Sequence, residues 1–401
     1  MKPAVLVVTT SRWFPTARLA VALDHAGGRV QAVCPAGHPI EKTTAVKRTF
    51  RYRGLLPLRS IAAAIAATKA ELLVPGDDLA TAHLHALHEQ SSRAGKSGAA
   101  VRGLIERSLG APGNFVTIDD RASFMQVAEQ AGVRIPQTIV VPGLAELERW
   151  STQTGFPVVL KANGTSGGEG VRVVKNIDEA RRAWSALGAP PLLARAVKHA
   201  LLDRDTTLLG PSLGRRTSAV TAQSFVAGRE ATSAVACWQG KILASLHFEV
   251  LQKGYAAGHA TVLRRVANPE MAAAAETMVQ RLHLSGLHGF DFMLDNVARH
   301  AYLIEINPRA TQAGHLSFGA GCDLPVALLS ALTGRTPAPS LAVTENDVVA
   351  LFPQEWLRDP ASPYLRSGYH DVPWDQPELL RLCVRKPGGR RLRKWVQRFR
   401  E

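Results

Sequence analysis

The sequence predicts an α/β protein, an open parallel sheet at the N-terminus followed by a larger α+β region. Three observations carry that prediction. Short apolar runs alternate with helical stretches over the first part of the chain, a glycine-rich loop joins two strands near residue 165, and two apolar strands beyond residue 286 each contain one carboxylate.

Length and composition set the frame. The 401 residues allow two or three domains with a sizeable core, and 46% hydrophobic residues is a globular composition. Apolar runs such as Ile61 to Thr68 are far shorter than a bilayer span, and no cleavage-site pattern follows Met-Lys-Pro-Ala-Val-Leu, so a cytoplasmic protein is expected. Cys34, Cys237, Cys322 and Cys383 are scattered without a CxxC pair, so neither a zinc knuckle nor a disulfide framework is indicated and small buried hydrophobes are expected. The formal charge of +15 favours anionic partners, but from Arg381 to Glu401 nine Lys and Arg face one acid, so most of the excess lies in the tail.

In order along the chain, Ala4–Thr10, Arg29–Cys34 and Glu71–Pro75 read as strands, with helices beginning near Thr16 and over Leu58–Lys69. This alternation implies a parallel sheet whose ligand edge is the carboxyl end of its strands, where Ser11, Arg12 and Asp77 fall. No GxGxxG follows the first strand, so a dinucleotide site is not indicated, and Gly95-Lys96-Ser97 lacks the first glycine and the strand of a P-loop. His83, His85 and His88 lie on a helix over Leu79–Gln90. Only the last two share a face, so they read as surface or partly buried histidines. Asp119 or Asp120 caps a helix with Phe124, Val127, Ala128 and Ala131 on one face, ending at Gly132.

The strand Phe156–Ala162 contains one cation, Lys161, and leads into Gly164-Thr165-Ser166-Gly167-Gly168-Glu169-Gly170 and a further strand, VRVV. Such a hairpin leaves backbone N–H groups free to lie over phosphates, although glycine also makes ordinary turns. Ala219–Val226, Ala231–Trp238 and Lys241–Val250 read as successive antiparallel strands. His247 and Glu249 alternate to one face that could be solvated, and Pro269–Leu284 reads as a helix.

The stretch Gly286 to Gly314 is the most informative. Phe290–Leu294 carries Asp291 and Ala301–Ile306 carries Glu305, with a turn between them and Asn307 and Arg309 after. A buried carboxylate costs several kcal/mol unless compensated. Two on paired strands therefore suggest a hard cation, Mg2+ or Mn2+, between them; an ion pair of both with Arg309 at a strand edge is the competing arrangement.

Taken together, Lys161, the glycine loop, QSFVAGRE, GFDFML and LIEINPR resemble, in that order, the ATP-grasp superfamily, over about Asp119 to Leu332. The resemblance implies an N-terminal α/β domain at 1–115 and an ATP-grasp fold of two α+β subdomains gripping ATP at 116–335, with a lid subdomain at 145–225 and a metal-binding core at 226–335. A C-terminal extension, 336–401, would hold a basic amphipathic helix at 390–400. The family pattern further implies Arg121 and Lys161 as phosphate-binding cations and Thr165, Ser166, Gly167, Gly168 and Gly170 as the phosphate lid. It implies Gln223, Phe225 and Val226 around adenine and Glu230 on the ribose. Asp291, Glu305 and Asn307 would be the Mg2+ ligands, and Arg309 would stand beside the reacting phosphoryl group. Arg121 departs from the usual lysine, keeping the charge and adding a fork.

The activity so implied is ATP-dependent carboxylate-amine or carboxylate-thiol ligation through an acyl phosphate, with Arg309 and Lys161 catalytic. The alternatives are a bicarbonate-phosphorylating subunit of the carboxylase or carbamoyl phosphate synthase kind, which the INPR run resembles, and a non-catalytic ATP-binding scaffold. No biotin-attachment sequence, glutaminase-like domain or second module is present to support the former. Asp77, Arg12, Arg264, Arg265 and His315 are candidates for substrate contacts, each equally readable as structural. In the tail, Leu392, Trp395, Val396 and Phe399 fall on one helical face amid arginines. That pattern suits docking on the protein's own body, a homodimer partner or an anionic membrane surface, and the absence of a recognition motif disfavours nucleic acid.

Overall fold

A computed structural model describes residues 2–163, 170–189, 218–254, 258–336 and 339–384. The expected basic helix at 390–400 lies outside the described residues. Three sheets organise the chain.

The first sheet is parallel, formed by β1 (Ala4–Val8), β2 (Arg29–Cys34), β3 (Thr49–Arg51) and β4 (Leu72–Pro75) in the order β3-β2-β1-β4. Both faces of β1 are covered, so Ala-Val-Leu-Val-Val is buried throughout, as a continuous apolar run in a parallel sheet requires. Helices Phe14–His25, Pro57–Thr68 and Asp78–Arg93 make the connections. The first begins two residues earlier than expected because Pro15 fits the first helical turn. The strand order reverses between β1 and β4, which places a crevice at their carboxyl ends.

Asp77 stands in that crevice, but it is occupied in holding the fold. Its carboxylate accepts hydrogen bonds from Thr9 Oγ1 at 2.7 Å, Thr10 N at 2.6 Å and Thr10 Oγ1 at 2.8 Å, and it caps the next helix by accepting from Ala80 N at 2.9 Å. One side chain thus ties the end of β1 to the start of a helix, which corrects its reading as a substrate contact.

The second sheet is small and antiparallel: β5 (Thr138–Val140), β6 (Val158–Ala162), β7 (Val171–Val174) and β8 (Val220–Ser224), in the order β5-β8-β6-β7. Helices Leu144–Thr154 and Ile177–Gly188 pack on it through Leu147 and Ala180 against Val158, Leu160 and Ala222.

The third sheet has seven strands, β9 (Gly228–Trp238), β10 (Lys241–Lys253), β11 (Ala260–Arg265), β12 (Gly286–Asp295), β13 (Ala301–Asn307), β14 (Val348–Leu351) and β15 (Tyr369–Asp371), in the order β13-β12-β9-β10-β11-β14-β15. One face packs on helices Pro269–Arg281 and Arg121–Gln130, the other on helices Leu324–Thr333 and Phe14–His25. Two expectations change here. The segments 219–226 and 231–238 are not neighbours in one sheet: β8 pairs with β5 and β6, β9 pairs with β10 and β12, and the chain crosses between the two sheets at Phe225–Ala227. Glu249 is not on a solvated face, since it is 2% exposed.

Replacing Asp77 removes a helix cap and leaves the donors of Thr9 and Thr10 unmet in a mostly buried crevice. Asp77→Ala is therefore expected to cost about 2–4 kcal/mol, measured by urea unfolding, while Asp77→Asn, which keeps part of the hydrogen bonding, costs less.

Candidate active site

A cleft of about 300 Å3 opens where the three sheets meet. The second sheet contributes Lys161, Val171 and Val173; the third contributes Glu230, Thr232, Lys253, Asp291, Glu305 and Asn307; the first contributes Trp13 from the loop after β1. Arg121 and Arg309 complete its charged wall.

Register explains how the acidic residues reach it. Asp291 on β12 is paired directly with Glu305 on β13, but Phe292 is paired with Leu303, so Ile304 is an extra residue in a β-bulge. The extra residue changes the parity of the strand. Leu303 and Ile306, an odd number of positions apart, both pack into the core, whereas Glu305 and Asn307 face the cleft. The carbonyl of Ile304 accepts a hydrogen bond from Lys161 Nζ at 3.2 Å, which joins the bulge to the second sheet. Gly289 permits the next turn: a Cβ there would lie 2.3 Å from Thr311 Cγ2 and 3.3 Å from Asn307 Cβ, so the chain after β13 folds closely over β12 only because that position lacks a side chain.

The electrostatics follow from this crowding. Burial, together with the neighbouring Glu305 charge, pushes the Asp291 carboxyl up to about 6, against hydrogen bonds from Asn307 and Thr232 and the charge of Arg309. Asn307 Nδ2 donates to Asp291 at 2.8 Å, while its Oδ1 accepts from Arg309 at 3.2 Å. Burial lowers Lys161 to about 8, with Glu305 acting in the opposite direction. Arg121 donates to Glu305 Oε2 at 3.0 Å and to the Ala162 carbonyl at 2.9 Å. The fork at position 121 thus binds the core carboxylate and the end of β6 together, which a lysine could not do in the same geometry. Arg309 donates to Asp78 at 3.1 Å and stacks over Trp13 at 4.8 Å. Glu230 pairs with Lys253 at 2.6 Å.

Two carboxylates and an amide around one gap form a hard-oxygen donor set. Among the described residues no group of three His, Cys, Asp or Glu could hold a metal, and the amide of Asn307 would be the further oxygen donor beside Asp291 and Glu305. A divalent cation fits this donor set.

Thus Arg121, Lys161, Glu230, Asp291, Glu305, Asn307 and Arg309 come together in one cleft. Gln223, Phe225 and Val226 are not among the residues lining it: the Gln223 side chain is buried and donates to Thr138 Oγ1 at 3.1 Å, and Phe225 is exposed in the crossover between sheets. Thr165, Ser166, Gly167 and Gly168 lie outside the described residues, and the Gly170 carbonyl accepts from Ala162 N at 2.8 Å. The remaining candidates are engaged elsewhere. Arg12 donates to Ala36 O, Arg264 pairs with Glu249, Arg265 pairs with Asp347, and His315 is buried against Asp371, which also holds Arg18. None of them lines the cleft. Trp13, Thr232, Lys253 and His259 do line it and were missed. Trp13 directly follows Ser11 and Arg12, already placed at the ligand edge, but nothing in the sequence singles out His259.

Comparison with known proteins agrees with this geometry. Residues 207–313 match the ATP-grasp domain family, and residues 120–204 match the ATP-binding domain of the carbamoyl-phosphate synthase L chain. A formate-dependent phosphoribosylglycinamide formyltransferase from Synechocystis is 46% identical over 59 residues, 15% of each chain. The carbamoyl phosphate synthase large chain of Thermus thermophilus is 26% identical over 277 residues, 67% of this chain and 23% of that one. The chain therefore spans under a quarter of the length of these curated relatives. Among solved structures, carboxyaminoimidazole ribonucleotide synthase from Aspergillus clavatus, complexed with ATP, superposes with a TM-score of 0.60 at 16% identity, covering 85% of this chain and 79% of that one. The biotin carboxylase domain of the Hydrogenobacter thermophilus 2-oxoglutarate carboxylase superposes with a TM-score of 0.55 at 15% identity, covering 83% and 70%. Two adjoining matches thus cover the strands that carry Lys161, Glu230, Asp291 and Glu305, and the fold is shared with these solved structures over most of the chain.

Proposed function

We propose that this protein is an ATP-dependent ligase that activates a carboxylate as an acyl phosphate and passes the acyl group to a nitrogen nucleophile. The observation that carries the reading is the in-register pair Asp291 and Glu305 facing a cleft whose other charged walls are Lys161, Arg121 and Arg309.

In this reading Mg2+, held by Asp291, Glu305 and the Asn307 amide oxygen, supplies charge neutralisation to the phosphates of ATP. Lys161 and Arg121 hold those phosphates, Glu230 receives the ribose hydroxyls, and Gln223, Phe225 and Val226 provide the adenine end at the crossover between sheets. The substrate carboxylate oxygen attacks the γ-phosphorus, the bond to the bridging oxygen breaks, and ADP leaves. Arg309, kept in place by Asp78 and Trp13, stabilises the transferring group. The nitrogen nucleophile then adds to the acyl carbon and loses a proton, and phosphate departs. The protein's own contribution is charge and positioning.

A specific observation favours bicarbonate as the carboxylate: residues 120–204 match the carbamoyl-phosphate synthase ATP-binding domain, and the similar biotin carboxylase domain is in complex with MgADP and bicarbonate. The intermediate would then be carboxyphosphate, formed by the same step on the same residues. Small-molecule substrates suit either version, and among the described residues no helix is long and apolar enough to cross a membrane.

Release of ADP and phosphate from Mg-ATP, followed across amino acids, other carboxylates and bicarbonate with hydroxylamine present, tests the reading. One organic carboxylate should give a hydroxamate, or bicarbonate alone should stimulate ADP release, and Glu305→Ala should lower the rate by at least about 100-fold. ATP binding without turnover on any carboxylate would leave the scaffold reading. Asp291 also fixes a pH dependence. With its carboxyl raised to about 6, it is protonated below that pH, and a proton then competes with the cation. Mg2+ affinity, measured calorimetrically from pH 5 to 7.5, should therefore fall as the pH drops through about 6. The same sign makes metal-free protein lose stability as the pH rises from the ordinary carboxylate range towards 6, a loss that added Mg2+ reverses.

A further inference from the structure

We infer that the face of the large sheet opposite the cleft carries a second anion site, built from Arg229, Arg264 and Arg299 around Glu249, that takes a phosphate dianion. Strand parity puts it there. Thr232 and Val250 face the cleft, so Glu249, paired in register with Ala231 and Arg264, points to the other side. Glu249 is an acid sealed into the sheet, its side chain 3% exposed, and three guanidinium groups converge on it from three separate segments. Arg264 and Arg229 (3.6 Å) meet Oε2, and Arg299 meets Oε1 at 3.3 Å.

The charges do not balance. One carboxylate gathers three cations, and among the described residues none of the three arginines has a second carboxylate within 4.0 Å. The cluster keeps a net charge of about +2, because arginine does not deprotonate in proteins. The excess is presented outward, since the side chains of Arg229, Arg264 and Arg299 are 57%, 40% and 65% exposed while the acid that anchors them is covered. Three forks fixed at one end and open at the other match a group with several equivalent oxygens and two negative charges, which is the chemistry of phosphate.

The backbone is arranged to keep Arg299 there. It adopts a left-handed conformation, φ 61°, uncommon for a residue with a side chain. That turn is held by Asp295, which accepts from Val297 N at 2.9 Å, Ala298 N at 2.7 Å and His300 N at 2.9 Å. Arg299 lies in the connection between β12 and β13, the strands that carry Asp291 and Glu305, and Arg229 precedes Glu230 on β9. An anion drawing the three arginines together would therefore bear on the strands of the cleft from behind.

Calorimetric titration with inorganic phosphate tests the site on the full chain, with Lys161→Ala separating it from the phosphate-binding cleft and succinate as a competing dianion. Phosphate binding should persist in Lys161→Ala and weaken at least about tenfold in Arg229→Ala/Arg299→Ala, which leaves Arg264 paired with the buried Glu249 and whose ATP binding checks that it folds. Succinate should bind more weakly than phosphate. Binding that disappears in Lys161→Ala, survives the double arginine variant, or favours succinate would overturn the assignment, as would an absence of phosphate binding in a wild-type chain that still binds ATP.

Discussion

Two carboxylates placed opposite one another on adjacent strands repel by roughly 3 kcal/mol at a separation of about 5 Å and an intermediate dielectric, and the centre of this protein is arranged around that repulsion. Arg121 takes up Glu305, the Asn307 amide and Thr232 serve Asp291, and Lys161 is anchored on the carbonyl of the bulged residue between Leu303 and Glu305. These groups come from different parts of the chain: a helix start, a strand of the small sheet, β9 and the last residue of β13. Burial, with the Glu305 charge beside it, still keeps Asp291 above the ordinary carboxylate range.

The same need for partners welds the first sheet to the third. Arg309 cannot be buried beside Asn307 without an acid, and Asp78, at the first turn of the helix after β4, provides it. Trp13 closes over the guanidinium from the end of β1, and Thr81 Oγ1 donates to the Pro308 carbonyl at 2.7 Å in the same region. The crevice at the carboxyl edge of the parallel sheet is thereby joined to the acidic end of the antiparallel one, and Asp77 beside it keeps the strand ends in place. Architecture and chemistry share these residues, so the cleft exists only when all three sheets are assembled.

Strand alternation separates two electrostatic functions within a single layer. On β9 and β10 one set of side chains faces the cleft, while the alternate set places Glu249 and its arginines on the reverse. In the cleft three acids are interleaved with four cations, and on the reverse three arginines surround one acid. The two surfaces are a sheet's thickness apart, and the connection carrying Arg299 joins the strands that hold Asp291 and Glu305.

By itself the sequence determined the elements whose physics is local. Alternating apolar runs specified the parallel sheet, Asp119-Asp120 announced a helix cap that the structure assigns to Asp120, and the apolar strands each containing one carboxylate, followed by Asn307 and Arg309, marked the acidic centre. These are legible because periodicity, capping and the cost of a buried charge act over a few residues. Only the tertiary structure decided the rest. Whether β8 and β9 share a sheet depends on long-range pairing, which their composition does not encode. Which cations reach Glu305 depends on a one-residue bulge at Ile304 that no pattern announces. His259 and Lys253 enter the cleft because strands distant in sequence converge there, while Asp77, Arg264, Arg265 and His315 leave it because each meets a partner far along the chain. A charged side chain advertises that it needs a counterpart, and the fold chooses which one.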